Sequence, residues 1–187
     1  MPISDTLQTL RQAFFAYRNG VVAEALRRGG DPHEFVMGCQ LADLMAITSA
    51  VAHDAALAQA LWDDRRHREC RLAAAMVYPA DAMTADTALR WATDVQCTEE
   101  ADVLCHRLLR HVPCAAMLWR ELVTSEQPLQ QYTALRLLLN LLILGRENDH
   151  QTIHNLLHHT PFHPTPALTA LLAQVKEELH NAAPHAG

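Results

Sequence analysis

Residues 129–144 constrain the fold more than any other stretch, because they are apolar on nearly every side. Their one polar stripe consists of Tyr132, Arg136 and Asn140, which recur at every fourth position and therefore share one face of a helix. Apolar side chains around most of a helix need neighbouring elements on most sides. The pattern predicts that this is the most buried helix of the protein.

Helix start signals recur along most of the chain, whereas the apolar–polar alternation of β-strands does not persist. We expect a strong start at Asp31, with Pro32 in the first helical position and a core-facing stripe from Met37 to Val51. Other expected starts are Ser4, Asp54, Thr84, Thr98, Asp149 and Thr165. The sequence predicts an all-α protein.

A length of 187 residues fits one domain. Helices of about 10 to 18 residues, paired every 30 to 45 residues or so, suggest stacked antiparallel hairpins of the HEAT-like or armadillo-like kind, which form an α-α superhelix. An irregular helical bundle explains the same periodicity equally well. We expect a single domain over residues 1–181 and a frayed tail over residues 182–187.

No run of about 18 apolar residues and no secretion signal is visible, so we expect a cytoplasmic protein without a membrane span. The five cysteines are irregularly spaced and mostly set among apolar residues, which favours buried free thiols over disulfides. No cofactor-binding motif is present.

The formal net charge is −6, which counts against strong binding to nucleic acid, because Lys and Arg side chains supply most of the non-specific affinity for phosphates. All basic residues but Lys176 are arginines, which bind phosphate with two parallel hydrogen bonds. Several of them cluster: Arg65, Arg66, Arg68 and Arg71, then Arg107 and Arg110. The acidic total therefore does not exclude a DNA-binding surface.

Three short motifs on successive predicted helices point to a family: Leu61-Trp62, Glu69-Cys70-Arg71 and Glu100-Ala101-Asp102. With the residues around them, over roughly positions 15–145, the chain resembles the DNA alkylation repair (AlkD-like) family. Members of that family are helical-repeat DNA glycosylases that act on N3- or N7-alkylated purines. We expect Trp62 to pack between helices and Glu69 and Arg71 to pair with neighbours near a helix start.

The resemblance places the catalytic carboxylate of the family on Asp102, where a negative charge stabilises an oxocarbenium-like sugar. Four positions before this carboxylate the family has an aromatic residue, where this chain has Thr98. At the later position where the family has an arginine, this chain has Tyr132, and no tryptophan follows Trp119. Arg136, one helical turn beyond Tyr132, is the nearest replacement for that arginine. The resemblance thus implies the fold, while most of the catalytic positions are replaced.

Two features leave alternatives open. Asp102 is either an anion on a concave face, with His106 as a proton partner, or an acidic residue stabilised by the helix dipole. His150, His154 and His158 share a helix face and could bind zinc, but a solvated face explains them more simply, so no metal site is predicted.

Two main functional hypotheses follow. In the first, a concave face holds duplex DNA, with weak or absent base excision dependent on Asp102. In the second, the same face of a non-catalytic scaffold binds a protein partner. The side chains expected to contact DNA are Arg65, Arg66, Arg68, Arg107, Arg110, Tyr132 and Arg136.

Overall fold

The computed structural model describes residues 2–182, and within them the all-α prediction is confirmed. These residues form no β-strand, only an isolated bridge between Phe35 and His67. The helices are α1 Ile3–Ala16, α2 Gly20–Arg28, α3 Leu41–Thr48, α4 Ala55–Trp62, α5 Arg68–Val77, α6 Ala85–Thr93, α7 Thr98–Arg107, α8 Ala115–Val123, α9 Pro128–Ile143, α10 His150–His159 and α11 Pro166–Ala182. Short 3-10 turns occur at Ala80–Ala82 and Leu109–His111.

Several helices begin where a local capping signal predicts. The Asp54 carboxylate accepts a hydrogen bond from the Leu57 N–H at 2.7 Å, which caps α4. Asp149 caps α10 in the same way, through the Thr152 N–H at 3.1 Å. Each side chain satisfies a backbone donor that the first helical turn leaves without a partner.

The helix expected from Asp31 onward is wrong over residues 31–40, nearly half of its length, since α3 begins only at Leu41. Asp31 instead accepts a hydrogen bond from the nearby His33 N–H at 2.9 Å. The backbone that follows is held by the buried Glu69, whose carboxylate accepts from the N–H groups of three residues, at 2.9–3.3 Å: Met37, Gly38 and Cys39. Long-range hydrogen bonds therefore override the local helix signal here.

Gly38 is required by this arrangement, because its φ of +78° lies in the left-handed region. A Cβ at this position would lie 2.3 Å from the backbone oxygen of Asn19. Any other residue would push the segment away from the start of α2.

Backbone contacts group the chain into two compact units, Met1–Met83 and Thr84–Gly187. In the N-terminal unit, α4 and α5 form a hairpin that α1 and α3 contact. The Arg71 guanidinium lies 3.5 Å from the centroid of the Trp62 ring and donates to the Trp62 carbonyl at 2.7 Å. The structural roles expected for Trp62, Glu69 and Arg71 are confirmed.

The C-terminal unit is organised around α9, which contacts α6, α7, α8 and α11. Most of its residues are buried, including the fully covered Leu135, Leu137 and Leu138. Within residues 2–182, α9 has more buried residues than any other helix, as predicted, but the shorter α5 is buried over a larger share of its length. A single domain over residues 1–181 stays a prediction, and the expected frayed tail lies outside the described residues except for Ala182.

All five cysteines are free thiols, and Cys39, Cys70 and Cys105 are buried as expected. Burial raises the pKa of Cys70 to about 12, so this thiol stays protonated. Every helix within residues 2–182 is too short or too polar to cross a lipid bilayer.

Candidate functional site

Asp102, Tyr132 and Arg136 form one hydrogen-bonded cluster in the C-terminal unit. Asp102 Oδ1, on α7, accepts from the Tyr132 hydroxyl at 2.8 Å and from Arg136 Nε at 2.6 Å. Arg136 Nη2 also donates to the Tyr132 oxygen at 3.0 Å, along the same face of α9. The structure thus joins three of the residues singled out in the sequence, and we call them the Asp102 cluster.

The cluster holds its charges in fixed states. Burial raises the pKa of Tyr132, and the Asp102 carboxylate raises it further, against the opposing effect of Arg136. Burial alone would lower the pKa of Arg136, but its hydrogen bond to Tyr132 and the charge of Asp102 raise it. Tyr132 is therefore a neutral donor and Arg136 a permanent cation that balances Asp102.

Only one oxygen of Asp102 is used in this way. Within residues 2–182, Oδ2 has no hydrogen-bond partner, and the side chain is 41% exposed. Asp102 is therefore a carboxylate that is anchored on one side and open to solvent on the other.

Cationic and imidazole side chains lie close to this cluster. Arg110 Nη1 lies 3.1 Å from His106 Nδ1, and Arg110 Nε donates to His111 Nε2 at 3.0 Å. Arg146 donates to the backbone oxygen of Arg110. We define the arginine surface as His106, Arg107, Arg110, His111, Arg136 and Arg146.

Burial and neighbouring arginine charges both lower the pKa values of the two histidines. Partial burial lowers the pKa of His106, and the charges of Arg110, Arg107 and Arg136 lower it further. Burial lowers the pKa of His111 as well, followed by the charges of Arg110 and Arg146. No acidic residue occurs between Asp102 and Arg120 in the sequence, so this stretch itself adds only basic side chains to the surface.

A family model described as "DNA alkylation repair enzyme" matches residues 10–180. The chain belongs to this DNA alkylation repair family. No curated protein and no solved structure gives a significant match. The resemblance drawn from the Leu-Trp and Glu-x-Arg motifs is confirmed.

Two positions of the family pattern differ in character here. Thr98 is the first residue of α7, one place after the N-cap, and offers no aromatic face to a cationic base. Tyr132 stands where the family arginine is expected. Arg136, one helical turn later, donates to the Asp102 carboxylate. A displacement of one helical turn therefore does not prevent an arginine on α9 from pairing with Asp102.

The arginines predicted in the N-terminal unit have different environments. Arg68 is 4% exposed and donates to the Cys39 carbonyl at 3.2 Å and to Glu69 at 2.9 Å. Arg66 is exposed but forms a two-pronged ion pair with Glu34 at 2.6 and 2.7 Å. Arg65 is exposed. Because Arg68 is committed to buried partners, we leave it out of any proposed DNA-binding surface.

The histidine stripe lies on α10, where His154 and His158 are exposed and His150 is half-buried. Across residues 2–182, no group of three or more His, Cys, Asp or Glu side chains is arranged to hold a metal ion. Among the described residues, therefore, nothing supports zinc binding by His150, His154 and His158.

Arg146 and His111 were not singled out from the sequence, although a signal for Arg146 was available. Gly145, with a φ of +64°, ends α9. Its N–H bonds to the Leu142 carbonyl, and the Arg146 N–H bonds to the Leu141 carbonyl. This Schellman motif turns the chain so that Arg146 reaches the backbone of Arg110.

Proposed function

We propose that this protein binds duplex DNA through the arginine surface of its C-terminal unit. The observation that carries the proposal is the joining of Arg110 to His106 and His111 by side-chain contacts of 3.1 and 3.0 Å, with Arg146 bonded to the Arg110 backbone. Arg107 and Arg136 lie near enough to lower the pKa of His106. Membership of a DNA repair family supports the same partner. Tyr132 contributes by positioning Arg136, and Arg65 and Arg66 are further candidates in the N-terminal unit.

The physical basis is phosphate binding. Arginine presents several fixed N–H donors and bonds two phosphate oxygens at once. The Arg110 guanidinium contacts the side chains of His106 and His111, which orient it without neutralising its charge. Such binding is independent of base sequence and weakens as salt rises.

We propose further that base excision is weak or absent. Asp102 shares Oδ1 with two donors, and its charge is balanced by Arg136. A balanced carboxylate stabilises a developing cation less than an unpaired one does. The open Oδ2 is the one feature that favours residual activity on N3- or N7-alkylated purines.

Fluorescence anisotropy of labelled duplex DNA tests the binding proposal. Arg107→Gln combined with Arg110→Gln should weaken binding strongly, whereas Arg90→Gln, an exposed arginine on α6 of the same unit, should not. Equal affinities for the two variants would overturn the assignment of this surface. Base release from methylated DNA by the wild type and by Asp102→Asn tests excision, and equal rates would exclude a role for Asp102.

If the wild type shows no salt-dependent DNA binding at low ionic strength, the alternative gains support. That alternative is a non-catalytic helical-repeat scaffold for a protein partner, favoured by the net charge of −6 and the paired Asp102. HEAT-like stacking and a cytoplasmic location stay predictions under both functions.

A further inference from the structure

An open cavity of about 620 Å³ lies in the N-terminal unit, away in sequence from the arginine surface. Its walls come from the end of α1, from α2 and from the segment before α3, and they include Phe15, Arg18, Arg27 and Phe35. The volume falls in the range of about 300–1,000 Å³ that is typical of small-molecule sites. Neither the family match nor the proposed DNA binding assigns a role to this cavity.

Two guanidinium groups face the cavity without a counter-ion. None of the side chains that line it is acidic, and within residues 2–182 neither Arg18 nor Arg27 forms an ion pair. By contrast, the neighbouring Arg28 pairs with Glu24 at 3.3 Å. The cavity therefore carries a net positive charge that an anion would balance.

Both guanidinium groups are held in place by the backbone. Arg18 Nη1 donates to the Phe15 carbonyl at 3.0 Å, and Arg27 Nη2 donates to the Val36 carbonyl at 3.0 Å. Each bond uses one of the five N–H donors of an arginine and leaves its charge intact. This anchoring lowers the entropy that the side chains would lose on binding a ligand.

The rest of the cavity wall is suited to a flat ring. Phe15 is 56% exposed and Phe35 is 39% exposed, which is unusual for phenylalanine. Phe35 is stacked on His67, with centroids 4.6 Å apart and ring planes at 21°, so its orientation is fixed. The Arg18 guanidinium lies over the Phe15 ring, 4.2 Å from its centroid, and the Arg66 guanidinium lies over the Phe35 ring at 4.9 Å. Nucleobases stack on guanidinium planes as well as on aromatic rings, so each pair forms one layered platform.

We propose that this cavity binds a nucleoside monophosphate, either free or as the phosphorylated end of a strand. A phosphate monoester carries a charge of about −1.5 to −2 at neutral pH, which matches the two arginines. The base would then stack on the platform formed by the phenylalanine rings and the guanidinium groups that lie over them. The cavity is lined by residues of the N-terminal unit, whereas the arginine surface belongs to the C-terminal unit, so each proposal is tested by its own variants.

Isothermal titration of the full chain with adenosine monophosphate tests the proposal, with adenosine and inorganic phosphate as comparison ligands. The nucleotide should bind saturably and more tightly than either fragment, because only it engages both parts of the site. Failure to saturate, or equal affinity for adenosine or for inorganic phosphate, would overturn the proposal.

Variants separate the contributions. Arg18→Gln should weaken nucleotide binding about tenfold, as expected for the loss of a charge-assisted hydrogen bond. Phe15→Leu should also weaken it while leaving the fold intact, because this side chain is largely exposed. Arg28→Gln is the matched control, since it removes an arginine of α2 that does not line the cavity. If Arg18→Gln behaves like Arg28→Gln, the site is wrong.

Competition by single strands identifies the source of the nucleotide. A 5′-phosphorylated oligonucleotide that displaces adenosine monophosphate, when the unphosphorylated strand does not, supports binding of strand ends. No displacement by either strand supports a free nucleotide as the ligand. Displacement by both strands equally would contradict recognition of the terminal phosphate. The Arg107→Gln and Arg110→Gln double variant should bind the nucleotide normally, which separates this test from that of duplex binding.

Discussion

At the scale of single residues, the state of Asp102 decides what the site can do. Its Oδ1 is bonded to Tyr132 and Arg136, which lie 30 and 34 positions away in the sequence. Two donors on one oxygen fix the carboxylate and balance its charge, while Oδ2 remains open to solvent. The site thus resembles an anchored anion rather than an isolated catalytic carboxylate.

Tyr132→Phe should lower the free energy of unfolding by about 1 kcal/mol, because it removes a half-buried hydroxyl that both donates and accepts. In an Asp102→Asn background the same change should cost less, since the charged acceptor is already gone. Urea unfolding of the four proteins measures this coupling. Additive losses would show that the 2.8 Å contact contributes nothing to stability.

The lowered pKa values of His106 and His111 predict how pH acts on this surface. A histidine whose pKa is lower in the folded state destabilises the fold as pH falls through its unfolded value of about 6.5, because the unfolded chain then binds more protons. DNA phosphates would stabilise the protonated histidine rings. The affinity for duplex DNA should therefore rise as pH falls through this range.

Anisotropy titrations from neutral pH to below pH 6 would measure the effect, with the double variant His106→Gln, His111→Gln as the comparison. The wild type should gain affinity more steeply than the variant. Parallel pH profiles would place the histidines outside the contact surface.

At the scale of elements, the sequence predicts what local chemistry controls. Asp54 and Asp149 cap helices because their partners lie three residues away. Asp31 has the same local signal but starts no helix, because Glu69, more than 30 positions later, holds Met37 and Gly38 in another conformation. The hydrogen bonds of Asp102 to Tyr132 and Arg136 could not be predicted from local sequence for the same reason, since they depend on how α7 and α9 pack.

Glu69→Gln tests this role of α5. The substitution keeps the shape but removes a buried charge that accepts three backbone N–H groups and pairs with Arg68 at 2.9 Å. Losing one partner of a buried ion pair costs about 3–5 kcal/mol. Urea unfolding should show a loss of this size, and a loss below about 1 kcal/mol would mean that the Gly38 segment does not depend on the carboxylate.

At the scale of the whole molecule, an acidic protein is proposed to bind an acidic polymer, and salt dependence is the measurement that reconciles the two. The net charge of −6 sets the long-range repulsion, which salt screens beyond about 10 Å. Contacts between arginines and phosphates act at short range and release counterions instead. Affinity should therefore fall with salt in spite of the acidic total.

The steepness of the salt dependence measures how many phosphates the protein neutralises. Each phosphate neutralised contributes about 0.9 to the slope of log affinity against log salt on duplex DNA. Replacing Arg107 and Arg110 by glutamine should reduce the slope by about 2, whereas Arg90→Gln should leave it unchanged. If the double variant lost affinity at an unchanged slope, the two arginines would be supporting the fold of the surface rather than touching phosphate. Unfolding curves of the same variants would then show the corresponding loss of stability.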